Sequence, residues 1–125
     1  MGRNKSYNEV EVLETLADLF AKYGFESTSI DQIAKATGMK RGSIYQAFAS
    51  KANLFRLAFE HAIQTSGDHL LLADLLIVAM WERSAIDADV RTDAQHAIQR
   101  LEKELNDSIR NILSDRLFTR ANIER

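Results

Sequence analysis

Apolar residues recur every three or four positions along most of the chain, the period of helices buried on one side. Val12, Leu13, Leu16, Leu19 and Phe20 form the first stripe and predict a helix from about Tyr7 to Tyr23. Ser6 with Glu9 three residues on reads as a capping box, and Gly24 stands where a left-handed cap would end the helix. Thr28 and Asp31 make a second box, followed by Ile33, Ala34 and Ala36 on a short helix that stops at Thr37-Gly38. The chain restarts as a helix at about Lys40 and ends near Ala49. Ser50 then caps a fourth helix, Lys51 to about Thr65, with Leu54, Phe55, Ala58, Phe59 and Ala62 on its inner face.

After Ser66-Gly67-Asp68 the pattern changes. From His69 to about Ser84 apolar residues occupy most of the circumference, so this helix must be buried on several sides. Asp87 caps a last, long helix expected from Ala88 to near Thr119. Its stripe of Val90, Ala94, Ile98, Leu101, Leu105, Ile109 and Ile112 suits packing against a partner helix.

Composition agrees with an all-α fold: 125 residues, 46% apolar, no proline and five glycines. With no cysteine there is neither a disulfide framework nor a thiolate metal site, and His61, His69 and His96 lack ligand spacing. No metal or cofactor is expected. Nor does any segment reach the roughly 18 apolar residues of a membrane span. No nucleophile–base pair, glycine-rich phosphate loop or paired carboxylate stands out, which argues against an enzyme.

Charge changes the picture more. The net charge is −2, yet no acidic residue lies between Gln32 and Phe59, where Lys35, Lys40, Arg41, Lys51 and Arg56 sit. A basic patch on an otherwise acidic molecule is the footprint of a nucleic-acid site with a separate body. Two short helices joined at Gly38 read as a helix-turn-helix. Ala34 is small where the helices approach, Gly38 tolerates positive φ, and Met39, Ile44, Tyr45 and Phe48 can lock the second helix onto the core.

At these residues the chain resembles the TetR/AcrR family of transcriptional regulators. The run Thr28-Ser29-Ile30-Asp31-Gln32-Ile33-Ala34-Lys35-Ala36-Thr37-Gly38-Met39 is similar to that family's second helix and turn. Arg41-Gly42-Ser43-Ile44-Tyr45-Gln46-Ala47-Phe48-Ala49-Ser50-Lys51 resembles its recognition helix and the start of helix four. Leu19-Phe20 and Gly24-Phe25 also fall where the family places them. Ala47 and Thr37 depart from the family's usual residues. The resemblance implies a helix-turn-helix DNA-binding domain over residues 1–50 and a connecting helix with a C-terminal helical dimerisation and regulatory region over 51–125. It also implies a bacterial cytoplasmic repressor, binding an inverted-repeat operator in double-stranded DNA as a homodimer.

The recognition segment is Lys40–Phe48. Lys40 or Arg41 is a reader of guanine O6 and N7, and Gly42 lets the backbone approach the groove. Ser43 and Gln46 can donate to a base or a phosphate. The Tyr45 ring packs under the helix while its hydroxyl reaches a phosphate. Lys51, Thr28 and Ser29 offer phosphate contacts at helix N-termini, and Arg3 and Lys5 form a basic arm. The expected dimer interface comprises Leu70, Leu75, Trp81, Ile98, Leu101, Leu105, Ile109 and Ile112. Asp74 is a polar intrusion with two readings, a local network or a ligand contact. The residues after Ser66 suffice for two helices, so the body is shorter than the family's, whether by nature or by truncation. Two helices cannot easily enclose a pocket of a few hundred Å³, which leaves little room for a small-molecule inducer. An alternative is an interaction module that keeps the fold and acts through heterodimers.

Overall fold

The computed structural model describes residues 7–124, so Arg3, Lys5 and the Ser6 cap lie outside the described residues. Among those described, the chain is all-α, with seven helices and no strand. They are α1 (Glu9–Tyr23), α2 (Ile30–Thr37), α3 (Arg41–Phe48), α4 (Lys51–Thr65), α5 (His69–Val78), α6 (Ala88–Leu105) and α7 (Ile109–Arg120). A π-helical turn, Ala79–Arg83, continues α5.

Helix α1 starts at Glu9, where the Asn8 side chain accepts a hydrogen bond from the Glu11 N–H at 3.1 Å. The cap is therefore Asn8, two residues beyond the expected Ser6. Val12, Leu13, Leu16, Ala17, Phe20 and Ala21 are buried along one face. They meet Leu54, Phe55, Ala58, Phe59 and Ala62 of α4, all buried as the stripe predicts. Phe55 sits at the centre, its ring 5.2 Å from Phe20, 5.8 Å from Phe25 and 5.7 Å from Phe59. Helix α5 buries Leu72, Ala73, Leu75, Leu76 and Val78 between α1, α4, α6 and α7, so it is covered on several sides.

The expected single helix over Ala88–Thr119 is two helices. Asp87 does cap α6, accepting from the N–H groups of Asp89 and Val90 at 3.0 and 3.2 Å. But Asn106 adopts the left-handed conformation (φ 50°, ψ 49°) and ends α6. Ser108 then caps α7 by accepting from Asn111 N–H, and Glu102 accepts from Ile109 N–H at 2.8 Å. Asparagine is the non-glycine residue best suited to that conformation. The chain therefore reverses, and the stripe does not lie along one rod.

Packing within the chain corrects part of the expected dimer interface. Leu75 and Leu101 are both fully buried in the chain's own core, because α6 folds back over α5. Ile98, Ile109 and Ile112 pack, half-buried, against the same core. Among the expected residues Leu70, Trp81 and Leu105 remain exposed, Trp81 most of all at 87%.

Helix α7 contributes no fully buried residue; beside the half-buried Ile109, Ile112 and Leu113, it is held by charge. Arg116 donates to both oxygens of Asp74, at 2.7 and 2.9 Å, and Arg120 lies 3.4 Å from the same carboxylate. Arg120 also donates to the carbonyls of Ala21 and Lys22 at the end of α1. Asp74 is thus the anchor of a local network, the first of its two readings. A second clamp holds α6 to the end of α4: Arg100 donates to the carbonyls of Ala62 (3.1 Å) and Ile63 (2.8 Å), and to that of Ser66.

Asp93 of α6 faces Glu60 of α4. Burial, and then the Glu60 carboxylate, push the Asp93 carboxyl up to about 6, while Arg56 and His96 oppose the shift. The folded chain thus holds this proton more tightly than the unfolded chain does. The resulting contribution to stability is present below the ordinary carboxylate pKa and is lost as pH rises through about 6. Asp93→Asn removes the titration and the repulsion. Thermal melts should show the variant gaining on the wild type across that window and remaining more stable above it; parallel pH profiles would refute this.

Candidate nucleic-acid interface

The local sequence dictates the geometry of α2, the turn and α3. Ser29 caps α2 with a reciprocal box: its hydroxyl accepts from Gln32 N–H at 3.0 Å, and Gln32 Oε1 accepts from Ser29 N–H at 2.7 Å. The box is one residue later than the expected Thr28–Asp31 pair. Thr28 is fully buried and its hydroxyl donates to Gly24 O at 2.6 Å, so it cannot serve as a phosphate contact. Ser29 remains exposed.

At the turn, Gly38 is left-handed (φ 74°, ψ 5°) and its N–H donates to Ala34 O at 2.9 Å. A Cβ there would touch nothing within 4 Å, so the requirement for glycine is conformational, not steric. Thr37, a departure from the family pattern, is structural: its hydroxyl donates to Ile33 O and accepts from Met39 N–H.

Helix α3 then divides cleanly. Met39, Ile44 and Phe48 are buried against the core, and Tyr7 packs its ring 5.9 Å from that of Phe48. Lys40, Arg41, Gly42, Tyr45 and Gln46 are exposed on the opposite side, with Ser43 at the edge. Tyr45 is 45% exposed, so its ring is less sheltered than a packing role would need. No side chain caps the start of α3, which leaves its first N–H groups facing outward with Lys40 and Arg41. At the far end Asn53 donates to Phe48 O at 2.9 Å and Ala49 takes φ 71°, which fixes the sharp corner into α4.

Two side chains have partners that spacing could not reveal. The Arg41 guanidinium pairs with Asp31 of α2 on the exposed surface, which raises its pKa and holds it beside the helix. Such an exposed pair costs little to exchange for another anion or a base edge. Lys51 is different. Its ammonium donates to the carbonyls of Phe25 (3.0 Å), Thr28 (3.2 Å) and Glu26 (3.4 Å), and sits 4.6 Å from the Phe25 ring centroid. It ties the α1–α2 loop to α4 and is not free to meet a phosphate, contrary to expectation. Glu82, which no motif singled out, caps the same loop from the other side: it accepts from Phe25 N–H and Glu26 N–H, each at 2.9 Å.

A short helix anchored on one face, crossing a second across a left-handed glycine, with a polar and basic outer face, defines a helix-turn-helix protein. Residues 12–58 match the family model for bacterial regulatory proteins of the tetR family, which places that family's helix-turn-helix domain in this chain. It is 33% identical over 64 residues to an uncharacterized HTH-type transcriptional regulator, YezE, of Bacillus subtilis, covering 51% of this chain and 33% of that protein. Over 62 residues it is 34% identical to the HTH-type transcriptional repressor ComR of Escherichia coli, covering 50% of this chain and 30% of the relative. Identity to the HTH-type transcriptional regulator AcrR of Shigella flexneri is 39% over 57 residues, or 46% and 26% of the two chains. The matches thus span about a third or less of each relative's length. No solved structure matches the chain at the same stringency. Among the described residues, no helix is long and apolar enough to cross a membrane.

Proposed function

We propose that the chain is a sequence-specific DNA-binding transcriptional repressor that binds an inverted-repeat operator as a homodimer, with α3 in the major groove. The observation that carries this reading is the division of α3, with Met39, Ile44 and Phe48 buried and Lys40, Arg41, Gly42, Tyr45 and Gln46 exposed. Arg41 reads a guanine through O6 and N7, exchanging Asp31 for the base, while Lys40 meets a neighbouring base or phosphate. Gly42 admits the groove wall, and Ser43 and Gln46 donate to bases or phosphates. Ser29 and the Tyr45 hydroxyl contact the backbone on either side. A repressor role is supported by the name of the relative ComR.

The dimer surface includes the expected interface residues that the chain leaves uncovered, Leu70, Trp81 and Leu105. A two-fold axis would set two α3 helices about 34–36 Å apart, one turn of the duplex. Selection from a pool of random duplexes tests the reading. Enrichment of inverted repeats with half-sites about one turn apart, bound by two protomers, is expected. No enrichment, with pairing to a full-length relative instead, would favour a module that acts through heterodimers.

A further inference from the structure

The two amides that open the loop between α1 and α2 are held by one carboxylate, 57 residues in sequence from the first of them. Gly24 ends α1 at φ 86°, and the next two N–H groups, those of Phe25 and Glu26, both point at Glu82 of the π-helical turn. The approach is so close that a Cβ on Gly24 would lie 2.8 Å from Glu82 Oε2. Beside it, the Arg83 guanidinium covers the Phe25 ring at 4.3 Å, and Lys51 holds the same ring and loop from the other side. This loop leads directly into Ser29, the cap of α2, and α2 carries the Asp31 that holds Arg41.

Glu82 lies within the π turn. Ser84 N–H donates to Ala79 O at 2.7 Å, five residues back, so one residue more than an α-helix allows is taken up here. Single π turns inside α-helices are uncommon and tend to mark functional positions. The same turn leaves Trp81, the chain's one tryptophan, exposed next to Glu82.

We infer that Glu82 is a positioning residue for DNA recognition: by holding the Phe25 and Glu26 amides, the body sets the angle at which α2 and α3 meet the groove. This inference rests on the DNA-reading assignment above. Loss of the carboxylate leaves the recognition helix folded but lets α2 and α3 shift together, so specific binding weakens while charge-driven binding persists. Displacement of the π turn, reported by Trp81, would have the same consequence.

The test uses Glu82→Ala and Glu82→Gln in the full chain, with titrations on the selected duplex and a scrambled one, amide hydrogen exchange, and Trp81 emission. Glu82→Ala is expected to lower affinity for the selected duplex by about tenfold or more and for the scrambled duplex by less than about twofold. Exchange should quicken at Phe25 and Glu26 while the α1 and α4 core stays protected. Glu82→Gln, which keeps one acceptor oxygen, should recover part of the loss, and it remains the measurement if the alanine variant does not fold. A purely structural role would depress both duplexes alike or move only stability. Both variants binding the selected duplex within about twofold of wild type, with exchange quickened at the loop, would overturn the inference alone. A wild-type chain with no duplex preference would overturn the DNA reading and this role with it.

Discussion

Replacing Phe55 with alanine is expected to destabilise the chain by about 3–5 kcal/mol, the range for large aromatic truncations in a packed core. Phe55 has no exposed surface and joins Phe20 and Phe25 edge-on and Phe59 at a tilt, so three rings from α1, the α1–α2 loop and α4 lose their common partner. These elements set the platform on which α2 and α3 sit. A domain of this size has a total stability of about 5–15 kcal/mol, so the variant should be partly unfolded at physiological temperature. Urea titration followed by far-UV circular dichroism would show a large fall in midpoint. A midpoint within the error of the wild type would mean that the aromatic cluster is not the core of the head.

Asp74→Ala should act more locally and almost as strongly. Asp74 is buried, with its side chain 10% exposed, and its two oxygens are engaged by Arg116, itself 20% exposed. Removing one partner of a largely buried pair leaves the other charge desolvated and uncompensated, a loss of about 3–5 kcal/mol in fully buried cases. Here solvent can reach the freed arginine, so about 2–3 kcal/mol is expected. Because the apolar contacts of α7 are only half-buried, through Ile109, Ile112 and Leu113, the helix should detach before the rest unfolds. Hydrogen exchange over Ile109–Arg120 should approach that of an open chain, and trypsin should cut first at Arg116 or Arg120. Protection of α7 equal to that of the wild type would show that something other than Asp74 holds it.

The residues explain what could be read in advance and what could not. The stripes of α1 and α4 and the glycine turn at Gly38 were legible because each is fixed by residues close in sequence. Two adjacent candidates defeated the cap of α2. Thr28 with Asp31 and Ser29 with Gln32 both fit a box, and burial of Thr28 against Gly24 decides between them. The break at Asn106 was hidden by the stripe itself, since Leu105 and Ile109 keep a spacing of four across it; the signal was the run Asn106-Asp107-Ser108, with a left-handed former followed by a cap. The placing of Leu75 and Leu101 at a partner surface fails for a separate reason: α6 folds back over α5 and covers both within the chain. Lys51, Asp74 and Glu82 were beyond local reasoning. Their partners lie 23 to 57 residues away in sequence, and a long charged side chain carries no mark of which backbone or side chain it will reach.

Whether the exposed face of α3 reads bases is tested most directly at Arg41. Wild-type and Arg41→Ala chains would be titrated on the selected duplex, on versions substituted at each base pair, and on a scrambled duplex, at several salt concentrations. Loss of about 1–3 kcal/mol on the selected duplex is expected, with preference relaxed at one or two positions and little change on the scrambled duplex. Equal losses on selected and scrambled DNA, or none on either, would contradict the assignment of α3 as the reading helix.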